Sequence, residues 1–277
     1  MIGERTAITA AMVLATVFLP LAAHSQDTGV HEDTHAASLN NGEDITRPVT
    51  GLELKYQFEA LPHNSHQDLF TLTGDYDVWL NKRWVLGLTV DVPFVYGNSI
   101  AADNPGGKFQ FGIGDVDLDA SISYVINHRI GVGVGVKLYF PTAYYEQAGT
   151  GKYRAVPILG LRISLPEISH GSFFQPIVKY DSNYASRYAD GGNISKLEFG
   201  PMLNIYLPME FYITLYSSTE IVYDFINGQW AIPFNFMVGK FLTKKIIISA
   251  EFFIPMINAD NYRPYDFKTE AKIAFFF

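Results

Sequence analysis

The chain has 277 residues, 28 acidic against 20 basic side chains, a formal net charge of -8 and no cysteine. The acidic balance excludes a nucleic-acid surface, which has to be basic, and the missing thiols exclude disulfides and thiolate metal sites. Aromatic residues at 15% and charged residues at only 17% leave much apolar surface to hide, in a core or in lipid.

The first element is an export signal. Arg5 supplies a short positive region, an apolar stretch runs from Ala7 to Ala23, and Ala23-His24-Ser25 offers a cleavage site, so Gln26 is expected to begin the mature chain. No cysteine follows to carry a lipid. No later stretch has 18 consecutive apolar residues, so no transmembrane helix is expected. Residues 26–50 read as a flexible periplasmic tail. They carry His31, Glu32, Asp33 and His35, which offer no rigid third metal ligand and therefore predict a solvated tail and no metal or other cofactor.

From Gly51 to Phe277 the pattern has period two, the signature of strands with one apolar and one polar face. Leu52, Leu54, Tyr56 and Phe58 oppose Glu53, Lys55, Gln57 and Glu59. Further strands follow near Leu69–Leu80 and Arg83–Phe94. Val116, Leu118, Ala120 and Ile122 then oppose Asp115, Asp117, Asp119, Ser121 and Ser123. Ile130, Val132, Val134, Val136 and Leu138 oppose Arg129, Gly131, Gly133, Gly135 and Lys137. Strands are expected next at Tyr153–Leu165 and Phe173–Tyr184, then one where Leu197, Phe199, Leu203 and Ile205 oppose Lys196, Glu198 and Asn204. Phe211–Tyr223 and Trp230–Phe241 follow, and Ile246, Ile248, Ala250, Phe252 and Ile254 form the next apolar face. The last strand sets Tyr265, Phe267, Thr269, Ala271, Ile273, Phe275 and Phe277 against Asp266, Lys268, Glu270 and Lys272.

About twelve such strands, each long enough to cross a bilayer when tilted, predict an all-β fold: a transmembrane antiparallel up-and-down β-barrel over residues 51–277. Lipid offers no hydrogen-bond partners, so strands can cross it only as a closed sheet. The connections alternate in length. Asn81-Lys82-Arg83, Asn127-His128-Arg129, Pro208-Met209-Glu210 and Thr243-Lys244-Lys245 are short, and Pro166–Ser172 is the longer exception. Tyr96–Lys108, Thr142–Lys152, Ala185–Asn193 and Met256–Pro264 are long and polar. This is the asymmetry of bacterial outer-membrane barrels, whose short turns are periplasmic. The expected location is therefore the outer membrane. The expected partners are its lipid, a small-molecule solute and the barrel assembly machinery, which Phe277 would address as the terminal aromatic.

The candidate functional residues are the inward ones. Asp115, Asp117 and Asp119 repel one another unless countered, and Arg129, Lys137, Arg154 and Arg162 are the available cations. Asp75, Asp77 and Asp91 add to the acidic bias. They predict either a charged constriction or a lumen-filling ion-pair network. The inward glycines 131, 133 and 135 predict a smooth wall or the close approach of a neighbouring loop or strand. Tyr139, Tyr144, Tyr145, Tyr184, Tyr188 and Tyr262 fall near the outer ends, as an interfacial girdle or as mouth aromatics that capture a ligand. His63, Ser65 and His66 raise a lipid-acting barrel enzyme as an alternative, but no nucleophile motif surrounds Ser65. A plugged structural or adhesive barrel is the other alternative.

The stretch Gly112-Ile113-Gly114-Asp115-Val116-Asp117-Leu118, the following glycine-rich strand, Phe140-Pro141-Thr142, the loop Gly149–Lys152, Pro157, Leu159 and the late Val238-Gly239-Lys240 stand in an order that resembles one family. It is the outer-membrane transporter family named for the meta pathway of phenol degradation. The resemblance covers about Gly51 to Phe277. It implies a barrel that takes up small hydrophobic or aromatic solutes, and it implies no particular binding residues.

Overall fold

The computed structural model describes residues 40–61, 64–99, 104–187, 192–218, 220–258 and 265–277. The expected signal peptide, the tail histidines, His63, Tyr188 and Tyr262 lie outside them. Fourteen strand segments form one sheet: β1 (Gly51–Leu61), β2 (Ser65–Trp79), β3 (Trp84–Gly97), β4 (Gln110–Ile113), β5 (Val116–Val125), β6 (Ile130–Phe140), β7 (Lys152–Ser164), β8 (Phe173–Ser186), β9 (Ser195–Tyr206), β10 (Phe211–Leu215), β11 (Ile221–Asp224), β12 (Gln229–Phe241), β13 (Ile246–Asn258) and β14 (Phe267–Phe276). β4 and β5 both pair with β3 as two arms of one spanning strand, and β10 and β11 both lie between β9 and β12. The sheet therefore has twelve positions, all antiparallel. β1 pairs with β14 from Gly51↔Phe276 to Ala60↔Phe267, and β12 pairs with β13, which closes the barrel. Closure removes the sheet edges that lipid could not satisfy.

Alternation decides what each face meets. Leu54, Phe70, Val134, Leu159, Val178 and Phe252 are exposed on the outside. Their neighbours along the chain point inward, among them the buried Thr73, Asp117, Gln175, Asp181 and Glu251. Outward pairs knit the belt: Tyr56 sits opposite Phe70 with ring centroids 5.0 Å apart, and Phe236 opposite Phe252 at 5.3 Å. A soluble sheet would bury such a face against a second layer. Here no second layer exists among the described residues, and the apolar belt is the lipid-facing surface of a membrane barrel.

One expected strand is broken. Phe211–Tyr223 reads as continuous, yet β10 stops at Leu215 and β11 starts at Ile221, with Tyr216 in left-handed backbone (φ 53). Tyr216 keeps its ring on the outward Phe234, 6.3 Å between centroids, while Ser217, Ser218 and Glu220 turn inward to partners there. The Ser217 hydroxyl donates to Glu43 at 3.2 Å, the Ser218 hydroxyl donates to Glu251 at 2.9 Å, and Glu220 ion-pairs with Lys179.

The free tail expected up to residue 50 also needs correction over its last part. Residues 40–50 lie inside the barrel, at the end that carries the short turns. Asn41, Asp44 and Thr46 are almost fully buried. Beside them, inward side chains of β9, β10 and β12–β14 form an apolar cluster of Tyr206, Tyr212, Met237, Phe241, Ile247 and Phe276, with Val49 of the segment against it.

Candidate lumen and its closures

The segment is held by named wall residues. Gln175 of β8 clamps its backbone from both sides: Oε1 accepts from Ile45 N–H at 3.0 Å, and Nε2 donates to the Glu43 carbonyl at 2.9 Å. Asn41 donates through Nδ2 to Asn204 Oδ1 at 2.9 Å, and its own N–H donates to the Tyr206 hydroxyl at 3.1 Å. The Ser123 hydroxyl donates to the Ile45 carbonyl at 2.7 Å. Asp44 meets Arg162 at 3.0 Å and Arg47 at 2.8 Å, while Lys272 reaches Glu43 at 2.9 Å. The inward glycines leave the room. A Cβ at Gly131 would stand 2.5 Å from Thr46 Cγ2, one at Gly133 would stand 3.1 Å from Ile45 Cδ1, and Gly160 faces the same Ile45 methyl. Of the two readings of the glycine wall, close approach of another chain segment is the one observed at Gly131 and Gly133, while Gly135 lines the open cavity.

Above this closure lies a cavity of about 370 Å³ whose lining includes Glu53, Lys55, Asp91, Lys137, Lys179 and Lys272. Its charges are interleaved. Lys137 lies 3.0 Å from Asp117 and 3.4 Å from Asp91, Lys55 is 3.2 Å from Glu53, and Lys272 is 3.7 Å from Glu53. Each cation offsets carboxylates that could not otherwise be desolvated together. Asp75 accepts from the Thr89 hydroxyl at 2.6 Å, Asp77 accepts from Thr50 and Asp91 accepts from Thr73. Asp119 lines the cavity opposite Lys137 in the strand register. The structure thus brings Asp75, Asp91, Asp117, Asp119 and Lys137 to one belt.

The other expected lumen residues are elsewhere. Arg154 pairs with Asp181 at 3.3 Å and stacks on Tyr139, its guanidinium carbon 3.7 Å from the ring centroid. Arg162 belongs to the segment's anchorage, as does Asp77 through Thr50. Arg129 is not in the lumen: it sits in an exposed turn, 2.7 Å from Glu167 of the next turn, because β6 begins only at Ile130. Asp115 does not join the carboxylate row either. It falls between β4 and β5, where the ladder is interrupted, and faces the 141–151 loop. Among the tyrosines, Tyr139 points inward, against the expected girdle position. Tyr144 is exposed, Tyr145 packs on Val95, and Tyr184 sits 6.0 Å from Tyr153 on the outer rim. The His66 ring lies near the rings of Phe58 (5.8 Å) and Phe109 (5.1 Å), and no Ser65–His66 hydrogen bond occurs among the described residues. No cluster among the described residues could hold a metal ion.

Asn204 and Ser123 stand on expected inward faces, but nothing in the sequence marks them or Gln175 as anchors of the segment. Polar residues at inward positions are ordinary in such a strand, and only the glycines beside them carried a signal.

No protein-family model and no curated protein matches the chain. Solved structures do. The outer membrane channel COG4313 from Pseudomonas putida F1 superposes with a TM-score of 0.66 over 86% of this chain and 98% of its own, at 15% identity. The NanC porin superposes with a TM-score of 0.51 over 82% of this chain and 98% of its own, at 13% identity. At these identities the likeness is one of fold. The fold is that of a bacterial outer-membrane β-barrel, and the outer membrane is where such a belt and closure belong.

Proposed function

We propose that this barrel is a gated channel for small hydrophobic or aromatic solutes, in keeping with the resemblance to the phenol-degradation transporter family. One observation carries the reading. At the end with the long loops the interior carries apolar and aromatic side chains, Val95, Leu69, Tyr145 and Phe253, beside the ion pairs Lys268–Glu59 and Arg154–Asp181, with Tyr139 stacked on Arg154. That mouth leads down to the charged cavity and then to a closure made of a segment that is not part of the wall. Among the described residues such a segment pairs with no strand and is held through side chains, so its movement would not open the sheet. The neighbouring COG4313 structure, described as a channel, supports the role without naming a solute.

The test is reconstitution of the mature protein into liposomes, with and without residues 40–49. The expected result is slow passage for the whole chain and faster passage for the shortened one, with aromatic solutes ahead of sugars of equal size. If the shortened barrel, folded by its heat-modifiable gel shift, passes nothing, the channel reading fails and the plugged structural barrel takes its place.

A further inference from the structure

The loop joining β6 to β7, residues 141–151, is built into the inner wall at the long-loop mouth. Its first part runs beside β4. Tyr144 N–H donates to the Ile113 carbonyl at 2.9 Å, and the Thr142 hydroxyl donates to the Gly114 carbonyl at 2.8 Å while accepting from Val116 N–H at 2.9 Å. The loop then turns inward. Ala143 and Ala148 are buried against Val95, whose side chain faces the lumen. The Tyr145 hydroxyl sits 3.3 Å from the carbonyls of both Val95 and Gln110, and Arg187 donates to the Ala143 carbonyl at 3.1 Å. A glycine seat admits it: a Cβ at Gly112 would stand 2.8 Å from Tyr144 Cβ, and one at Gly114 would stand 2.9 Å from the Ala148 carbonyl oxygen.

One carboxylate closes this arrangement. Asp115 accepts from Thr150 N–H at 2.6 Å, the Thr150 hydroxyl at 3.0 Å, Ala143 N–H at 3.2 Å and Gly151 N–H at 3.3 Å. Hydrogen bonds to an ionised acceptor are the stronger kind, and here four donors from both ends of one loop converge on a single side chain. The Gly112–Asp115 stretch is therefore a docking seat with its latch.

We infer that loop 141–151, fixed by Asp115, is the constriction that sets the largest solute admitted to the lumen from the long-loop mouth. Asp115 is a positioning residue in this scheme. The biological meaning rests on the channel reading, but the test does not.

The chain has no cysteine, so Ser121→Cys in the cavity wall supplies a unique thiol. Its modification rate is measured in the detergent-solubilised full barrel with a small and a bulky methanethiosulfonate reagent. With Asp115 present, the bulky reagent is expected to be the slower. Asp115→Ala raises the bulky reagent's rate by about tenfold, the equivalent of ~1.4 kcal/mol of lost closure, and leaves the small reagent's rate nearly unchanged. Asp115→Asn, which keeps one acceptor oxygen, falls between. If Asp115→Ala does not give a heat-modifiable barrel, Ala148→Asp sets a charge against Val95 and should open the same loop with the latch intact. Unchanged rates, or equal acceleration of both reagents, overturn the inference. Size-dependent access in a barrel that conducts nothing sinks the channel reading and leaves the constriction standing.

Discussion

Asp44 and Arg162 meet at 3.0 Å inside the barrel, one from the segment ahead of the first strand and the other from β7, and both side chains are almost fully buried. The pair ties the closure to the wall. Removing one partner of a buried pair costs about 3–5 kcal/mol because the other charge is left uncompensated. The segment is outside the strand ladder, so the cost is expected to appear as its release and not as loss of the wall. Asp44→Ala is expected to raise conductance and to speed tryptic cleavage after Arg47, with little change in the barrel's heat-modifiability. Unchanged cleavage and conductance would show that the segment is held mainly by the Gln175 clamp.

The glycine floor makes a second, independent demand. Gly160 and Gly133 face the Ile45 side chain, and Gly131 faces Thr46. Gly160→Val overfills that space, and overpacking commonly costs about 1–3 kcal/mol. It should displace the segment as the loss of Asp44 does, and Ile45→Ala in the same chain should largely restore closure. Conductance of the two single variants and the double variant forms the cycle. Additive effects would mean that the two side chains do not share the space.

Lys137 stands between Asp91 and Asp117 and is the nearest cation to both. Lys137→Met leaves Asp117 without its ion pair and Asp91 with only the more distant Lys55 as counter-charge. In the barrel shortened by residues 40–49, this change is expected to shift the reversal potential toward cation preference, and Asp91→Asn added to it should bring the potential back. A shift toward anions would mean that the carboxylates do not line the conducting path.

The wall was legible in the sequence because lipid outside and water inside impose period two on every spanning strand. β8, β12 and β14 fall close to where Phe173–Tyr184, Trp230–Phe241 and the final alternation put them. What lies inside the wall was not legible. Residues 40–50 have no periodicity of their own, since they neither cross the membrane nor join a ladder. Nothing local marks Ser217, Ser218 and Glu220 as leaving the wall, and only their partners Glu43, Glu251 and Lys179, distant in sequence, show why they turn inward. Asp115 continues the alternation that includes Asp117 and Asp119, so nothing local separates a loop latch from a lumen carboxylate. Gly131 and Gly133, two of the three inward glycines, were the exception. A side chain missing on the wet face indicates that something else fills the space, although it does not say what.

Neighbouring residues on β7 give the sharpest test of the membrane assignment itself. Leu159 is 58% exposed on the outer face, while the adjacent Ile158 lines the cavity. In water, an arginine at an exposed strand position costs little. At the middle of a bilayer the same charge on the lipid face costs about 2–4 kcal/mol, falling toward the interfaces. Leu159→Arg should therefore lower the unfolding free energy of the liposome-embedded barrel by about that amount, measured by denaturant titration. Ile158→Arg, pointing into a lumen already rich in carboxylates, should cost less. If the lumen-facing change proved the more damaging of the two, the exposed belt would not be meeting lipid, and the inside and outside of the barrel would have been assigned the wrong way round.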